Sequence, residues 1–394
     1  MRNGLKVGRV FGIEIDIDWS WLFIFFLITW DLGTSLTQFH PEWSGSLAWV
    51  TAIAAALLYF GSLLLHELAH SVVAISQGIP VRNITLFMFG GVSNIQREPT
   101  SPRSEFLIAI AGPLMSLFLG IVMTLLAGVS ASPMDTMTGA AGIIASLNPL
   151  SLMLLWLGAS NILLALFNVI PGFPLDGGRV LRSILWGITG SLRKATRWAS
   201  GVGQVIAWLF IAAGIMMAFG TYIPFFGTGL INGLWLAFIG WFLNSAAQQS
   251  YQQVVVQDLL HGVTVSRLMR ANPPTVPSTM PVSVLVRDYV MQSDDYAFPV
   301  VDDGRLRGIV TLADLRSVPR LFWDRKTVGD IMTPAEKLVV AMPEDNADEA
   351  WNRLMNRDVQ QLPVVRGGQF AGLFRRRDIT KWLHLQSDMH STAA

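Results

Sequence analysis

Residues 63–74 read Leu63-Leu64-Leu65-His66-Glu67-Leu68-Ala69-His70-Ser71-Val72-Val73-Ala74, which places two imidazoles and a carboxylate inside an apolar run. An ionisable side chain at membrane depth costs several kcal/mol unless it finds a partner, so it marks a functional site. Two questions follow: whether this run crosses a membrane, and what partners its polar groups.

Composition answers the first. Of 394 residues, 52% are hydrophobic and 14% charged, with a mean hydropathy of +0.47. Soluble domains carry roughly 25% charged residues. Apolar runs near the length of a bilayer span, about 20 residues, fall near 19–36, 47–76, 106–129, 152–170, 202–222 and 231–247. The connections alternate in charge. Arg2, Lys6 and Arg9 precede the first run, Arg82, Arg97 and Arg103 follow the second, and Arg179, Arg182, Arg193, Lys194 and Arg197 follow the fourth. The connections at 37–46, 130–148 and 220–229 carry no Lys or Arg. By the positive-inside rule both termini face the cytoplasm. The basic N-terminus lacks a short apolar core ahead of a small-residue cleavage site, so it reads as mature sequence.

The fold class expected is a polytopic α-helical membrane protein with six transmembrane helices and short β segments, followed by an α/β pair on the cytoplasmic side. Residues 13–18 (IEIDID) alternate with the period of a strand, and 80–91 are rich in β-formers and end on a glycine pair. Beyond about residue 248 the chain turns rich in Asp, Arg and Pro and contains an internal repeat. Residues 265–269 (VSRLM) match 328–332 (VGDIM), and 297–315 match 361–379. Pro299 aligns with Pro363, Gly308 with Gly372 and Asp314 with Asp378, without a gap. Each unit reads strand, helix, strand, strand, helix, and two units together bury faces that neither buries alone. With a net charge of +1 and no basic domain, nothing points to a nucleic acid.

Chemistry enters with His66-Glu67-Leu68-Ala69-His70, an HExxH pattern. Helix positions i and i+4 share one face, about 5–6 Å apart, so both imidazoles reach one Zn2+, and Glu67 stands where it can deprotonate a water. The chain has no cysteine, so the metal must be held by His, Asp or Glu. A catalytic zinc takes three protein ligands. The fourth span ends in NVIPGFPLDGGR, residues 168–179, and its prolines and glycines interrupt the helix at membrane depth. Asp176 projects from that break at a depth compatible with HELAH and is the third ligand expected. The plain alternative is a cytoplasmic turn with Asp176 as a helix cap. Asp31, near the outer end of the first span, reads as interfacial. His40, His261, His384 and His390 read as surface residues, and Arg179 and Arg182 as anchors at the membrane interface.

HELAH with a downstream NxxPxxPLDGG resembles the site-2 protease family of intramembrane zinc metalloproteases. Phe89-Gly90-Gly91 resembles the family's β segment, and Glu105 with Ala111-Gly112-Pro113-Leu114 resembles its third-helix motif. That motif often continues to an Asn where this chain has Ser116. No inserted PDZ domain is apparent, and six spans followed by a soluble pair resemble the sporulation-protease branch. The resemblance implies regulated intramembrane proteolysis in a prokaryotic cell membrane, on a single-span membrane protein. It also implies that Asn168 hydrogen-bonds the substrate backbone or the developing oxyanion. A substrate helix must unwind to expose a carbonyl, and residues 81–95 are expected to lend an edge strand that holds it by β-addition.

The soluble repeat resembles a pair of cystathionine-β-synthase (CBS) domains. The resemblance implies an adenine nucleotide, ATP or AMP, in the cleft between the units, and a homodimer. Thr311 and Asp314 have the hydroxyl and carboxylate for a ribose. The second unit keeps Asp378 but has Arg375 in place of Thr, so either only one nucleotide binds or Arg375–Arg377 meet phosphates. The expected boundaries are 1–250 for the membrane domain, 251–322 for the first CBS domain, and 323–394 for the second with its tail. The rival readings are a metal transporter or channel with a CBS regulatory module, and a catalytically silent scaffold. Against the first, the polar residues cluster on one side of the membrane; against the second, Glu67 is intact.

Overall fold

The computed structural model describes residues 4–130, 147–293 and 295–391, in two compact units, Met1–Gln252 and Gln253–Ala394. The connection at 131–146, which has no Lys or Arg, and the side chains of His384 and His390 lie outside the described residues.

The first unit opens with strands β1 (Gly4–Val10) and β2 (Ile13–Asp18) and helices α1 (Ser20–Phe39) and α2 (Gly45–Ser76). Then come β3 (Val81–Phe87), β4 (Gly90–Ile95), α3 (Pro102–Ser130), α4 (Pro149–Asn168), α5 (Asp176–Thr189), α6 (Leu192–Ala218) and α7 (Leu230–Leu260). Among the described residues, six helices are long and apolar enough to cross a membrane: α1 to α4, α6 and α7. Each overlaps an expected span, and α7 runs on beyond the change in composition. Ser44 caps α2 by accepting from the Leu47 N–H, and Asn148 caps α4 ahead of Pro149. Helices α3 and α4 meet at Gly120 and Gly158, where an added Cβ would strike Ile162 and Thr124 respectively. Small residues of this kind let membrane helices approach closely.

Two elements were not expected. β1 (GLKVGRV) pairs antiparallel with β2, but two glycines and two cations blur its alternation. The amphipathic helix α5 is too short and too polar to register as a span; it ends on Gly190 in the left-handed conformation, φ 64°, whose N–H caps Trp186 O. The sheet order is β1-β2-β3-β4, with β2 and β3 parallel and β3 and β4 antiparallel. Strand β3 is therefore interior, and the free edge beside the helices belongs to β4.

In the second unit, β5 (Ala297–Asp302), β6 (Arg305–Thr311), β8 (Gln361–Arg366) and β9 (Gln369–Arg375) form a sheet in the order β5-β6-β9-β8, with the short β7 (Thr333–Pro334) on β6. Repeat-equivalent residues meet across its centre: Arg305 pairs with Gln369, and Gln361 Nε2 donates to Ala297 O. Such self-matching contacts mark an approximate twofold axis. The cores interlock. Val328 packs with Phe298, Val300 and Val310, whereas Val265 packs with Leu362, Val364 and Phe374. Each repeat thus lends its leading segment to the other's core, and a fully buried Val contributes roughly 1.5–3 kcal/mol.

Candidate active site

Helix α2 carries His66 and His70 one turn apart on its buried face, each only 4% exposed, with their Nε2 atoms 3.2 Å apart. The chain leaves α4 at Asn168, turns through two prolines and starts α5 at Asp176. That turn needs its glycines. A Cβ on Gly177 would strike the carbonyls of Val169 and Ile170, and one on Gly178 would strike Gly172 and Phe173. Gly203 of α6 lets the Phe173 backbone lie directly against that helix. Held this way, Asp176 sets Oδ2 3.1 Å from both His66 Nε2 and His70 Nε2.

Proton bookkeeping on the outer nitrogens decides what this trio is. His70 Nδ1 lies 2.7 Å from Ile108 O, which only accepts, so Nδ1 bears the proton and a neutral ring turns a lone pair inward from Nε2. His66 Nδ1 lies 2.8 Å from the buried hydroxyl of Ser116, which accepts from a protonated Nδ1 or donates to a bare one. With Nδ1 protonated on both rings, two imidazole lone pairs and a carboxylate oxygen face one another. Three converging acceptors fit a cation, and two nitrogens with one oxygen fit zinc. Among the described residues this is the one His/Cys/Asp/Glu group with metal-binding proximity. Gly112 of α3 makes room for it, since a Cβ there would run into both Nε2 atoms. Such outer partners fix the tautomer and orientation of ligating histidines. Ser116 plays that part here, at the position where the resembled motif often carries Asn.

Glu67 lies beside the trio, against β4. The strand's inward residues follow the helix's rise. Gly91 faces Glu67, where a Cβ would hit Cγ; Ser93 Oγ donates to Glu67 Oε2 at 2.6 Å; and Ile95 packs on the cluster containing Ala74. Ser71 Oγ, one turn beyond Glu67, donates to Ser93 Oγ at 3.2 Å.

The second turn of α5 is fastened by a buried ion pair. Arg182 Nε donates to Glu105 Oε1 at 2.5 Å, Nη2 bonds the same oxygen and also Glu98 at 3.1 Å, and the guanidinium lies over the Phe173 ring. Glu105 is fully buried. Arg182 is thus not an interface anchor; its carboxylate partners draw it inward and so locate the helix that carries Asp176. Arg179 Nε stands 3.9 Å from the same Glu105 oxygen. Asn168 Nδ2 donates back to Leu164 O at 3.1 Å, so its amide closes the last turn of α4 rather than joining the histidines. His40 is not a surface residue: it is 1% exposed, stacked on Trp43 and bonded to Glu42. His261 is exposed, as expected.

In the second unit, Thr311 and Asp314 bond to each other. Asp314 Oδ2 accepts from the Thr311 hydroxyl and N–H at 2.7 and 2.8 Å, forming a capping box on the short helix that follows β6. Asp378 is held bidentately by Arg375 at 2.6 and 2.9 Å. Asp295 accepts from Arg375, Arg377 and Arg270.

Comparison with known proteins matches residues 54–212 to peptidase family M50 and residues 265–320 and 328–385 to the CBS domain. Zinc metalloprotease Rip3 of Mycobacterium tuberculosis is 37% identical over 97% of this chain and 93% of its own length. Zinc metalloprotease sll0528 of Synechocystis is 34% identical over 97% of this chain and 96% of its own. Among solved structures, the site-2 protease of Methanocaldococcus jannaschii matches with a TM-score of 0.41 and 24% identity, over 63% of this chain and 95% of that one. The chain belongs to peptidase family M50, together with these zinc metalloproteases. It is an integral membrane enzyme that carries a pair of CBS domains.

Proposed function

We propose that His66, His70 and Asp176 hold the zinc and that Glu67 handles the proton, in an enzyme that cuts a peptide bond within the membrane-embedded segment of a single-span protein. The observation that carries this reading is the convergence of two imidazole Nε2 atoms and one carboxylate oxygen, 3.1–3.2 Å apart. Zinc, when bound there, supplies a Lewis acid that acidifies a water and polarises the scissile carbonyl. Glu67 takes a proton from the attacking water and returns it to the leaving amine. Asn168, at the end of α4, contacts the substrate backbone once its bond to Leu164 O is given up.

The substrate is presented as an extended strand. A helical segment hides its carbonyls in i→i−4 bonds, and β4, the edge strand beside Glu67, offers free backbone groups for β-addition. Interior β3 is already paired on both sides, so residues 90–95 do this rather than the whole of 81–95. The Lys/Arg bias of the connections supports a topology with both termini in the cytoplasm, and the membrane is taken to be that of a prokaryotic cell. An adenine nucleotide, ATP or AMP, binds the CBS pair at Thr311 and Asp314, and a homodimer forms through these domains. The Arg375–Asp378 bond closes the second ribose position.

The test is cleavage of a dye-labelled single-span polypeptide in detergent by wild type and Glu67→Gln, with zinc determined on both. The expected result is that Glu67→Gln keeps its zinc and loses cleavage. Equal cleavage by the two forms would overturn the role of Glu67.

A further inference from the structure

We propose that Ser93, backed by Ser71, is a positioning residue that holds the Glu67 carboxylate by one oxygen and ties its placement to the strand that receives the substrate. This rests on the reading of Glu67 as the proton carrier.

The hydroxyl chain has a defined direction. Ser71 is fully buried, and its Oγ donates to Ser93 Oγ. Ser93 has one proton to give, with Glu67 Oε2 at 2.6 Å and Glu67 O at 3.3 Å within reach. The shorter contact, to a charged acceptor, is the stronger. Oε2 is therefore the anchored oxygen and Oε1 the one left free for proton transfer. Gly91 supplies the opposing wall, because any larger residue there would push on the Glu67 side chain. A carboxylate with one oxygen tied and its stem walled in has little rotational freedom left, and proton transfer depends on geometry of that kind.

The placement of Ser93 gives this a second consequence. It sits on edge strand β4, and its backbone pairs with Ile84 on β3. An extended substrate added to the free edge of β4 would stiffen the strand that carries the Glu67 anchor. Strand occupancy and base orientation then become one event.

The experiment uses the full-length, zinc-loaded protein in detergent and compares wild type with Ser93→Ala, Ser93→Thr, Ser71→Ala and Glu67→Gln. Two readouts are taken. The first is the infrared carboxylate band of 13C-glutamate-labelled protein, assigned to Glu67 by its loss in Glu67→Gln. The second is kcat and KM on the dye-labelled single-span polypeptide, with zinc content as a control. Ser93→Ala should shift the band and lower kcat about 10- to 100-fold with KM nearly unchanged, as loss of an orienting partner does. Ser93→Thr, which keeps the hydroxyl, should restore both, and Ser71→Ala should have the smaller effect. An unmoved band and wild-type kcat in Ser93→Ala, with Glu67→Gln inactive, would overturn the proposal. So would a Ser93→Thr protein as impaired as Ser93→Ala, since packing and not the hydroxyl would then matter. Cleavage surviving in Glu67→Gln would overturn the proton role itself, and this proposal with it.

Discussion

The two units of this chain both gather buried polar groups, but they close the hydrogen-bond ledger in opposite ways. In the membrane unit, His66, His70 and Asp176 turn two ring nitrogens and a carboxylate oxygen toward one point, while Ser116 and Ile108 take up the outer nitrogens. In the CBS unit, Thr311 bonds Asp314, Arg375 bonds Asp378, and Asp295 gathers arginines, so these polar groups find their partners inside the chain. Two ring nitrogens and a carboxylate oxygen converging on one point suit a cation from outside. Groups that satisfy one another make structure first, and a ligand must compete with bonds already formed. The first pattern suits a metal ion, as proposed above; the second leaves the CBS ligand to experiment.

Four substitutions break or sharpen this contrast, in falling order of effect. Asp176→Ala should release the zinc and abolish cleavage, read by metal analysis and by loss of product. Gly112→Ala should place a methyl group against both Nε2 atoms and strip most of the zinc while the protein stays folded; full zinc occupancy would show that α3 yields. Ser116→Ala should leave the ligands in place but free the His66 ring, weakening zinc binding about 10- to 100-fold in competition with a chelator. The mildest is Arg375→Thr, which restores the Thr–Asp pattern of the first unit and releases Asp378. Calorimetry with AMP should then find a second nucleotide per chain, and an unchanged stoichiometry would show that Arg375 is not what closes the site.

What could be read from the sequence was what is local along the chain. Two histidines four apart on a helix declare their shared face, and PGFPLDGG announces an interruption that brings a carboxylate to membrane depth. The spans and the CBS repeat were legible for the same reason, since periodicity and composition lie in contiguous residues. The partners that complete the site were not. Ser116 lies 50 residues from His66, Ser93 lies 26 from Glu67, and Arg182 lies 77 from Glu105. Only the packing of α3, α5 and β4 around α2 joins them. Arg182 read as an interface anchor and His40 as a surface residue because the pattern of single residues does not show a carboxylate or an aromatic ring brought against them. Ser116 could have been suspected, since a hydroxyl can do for an imidazole what an amide does.

The most direct measurement is zinc K-edge X-ray absorption on the intact protein, wild type beside Asp176→Ala. The account predicts a zinc-loaded wild type with two imidazoles and one carboxylate oxygen at about 2.0–2.2 Å, and no comparable metal in the variant. A variant that keeps its zinc in an unchanged shell would contradict it.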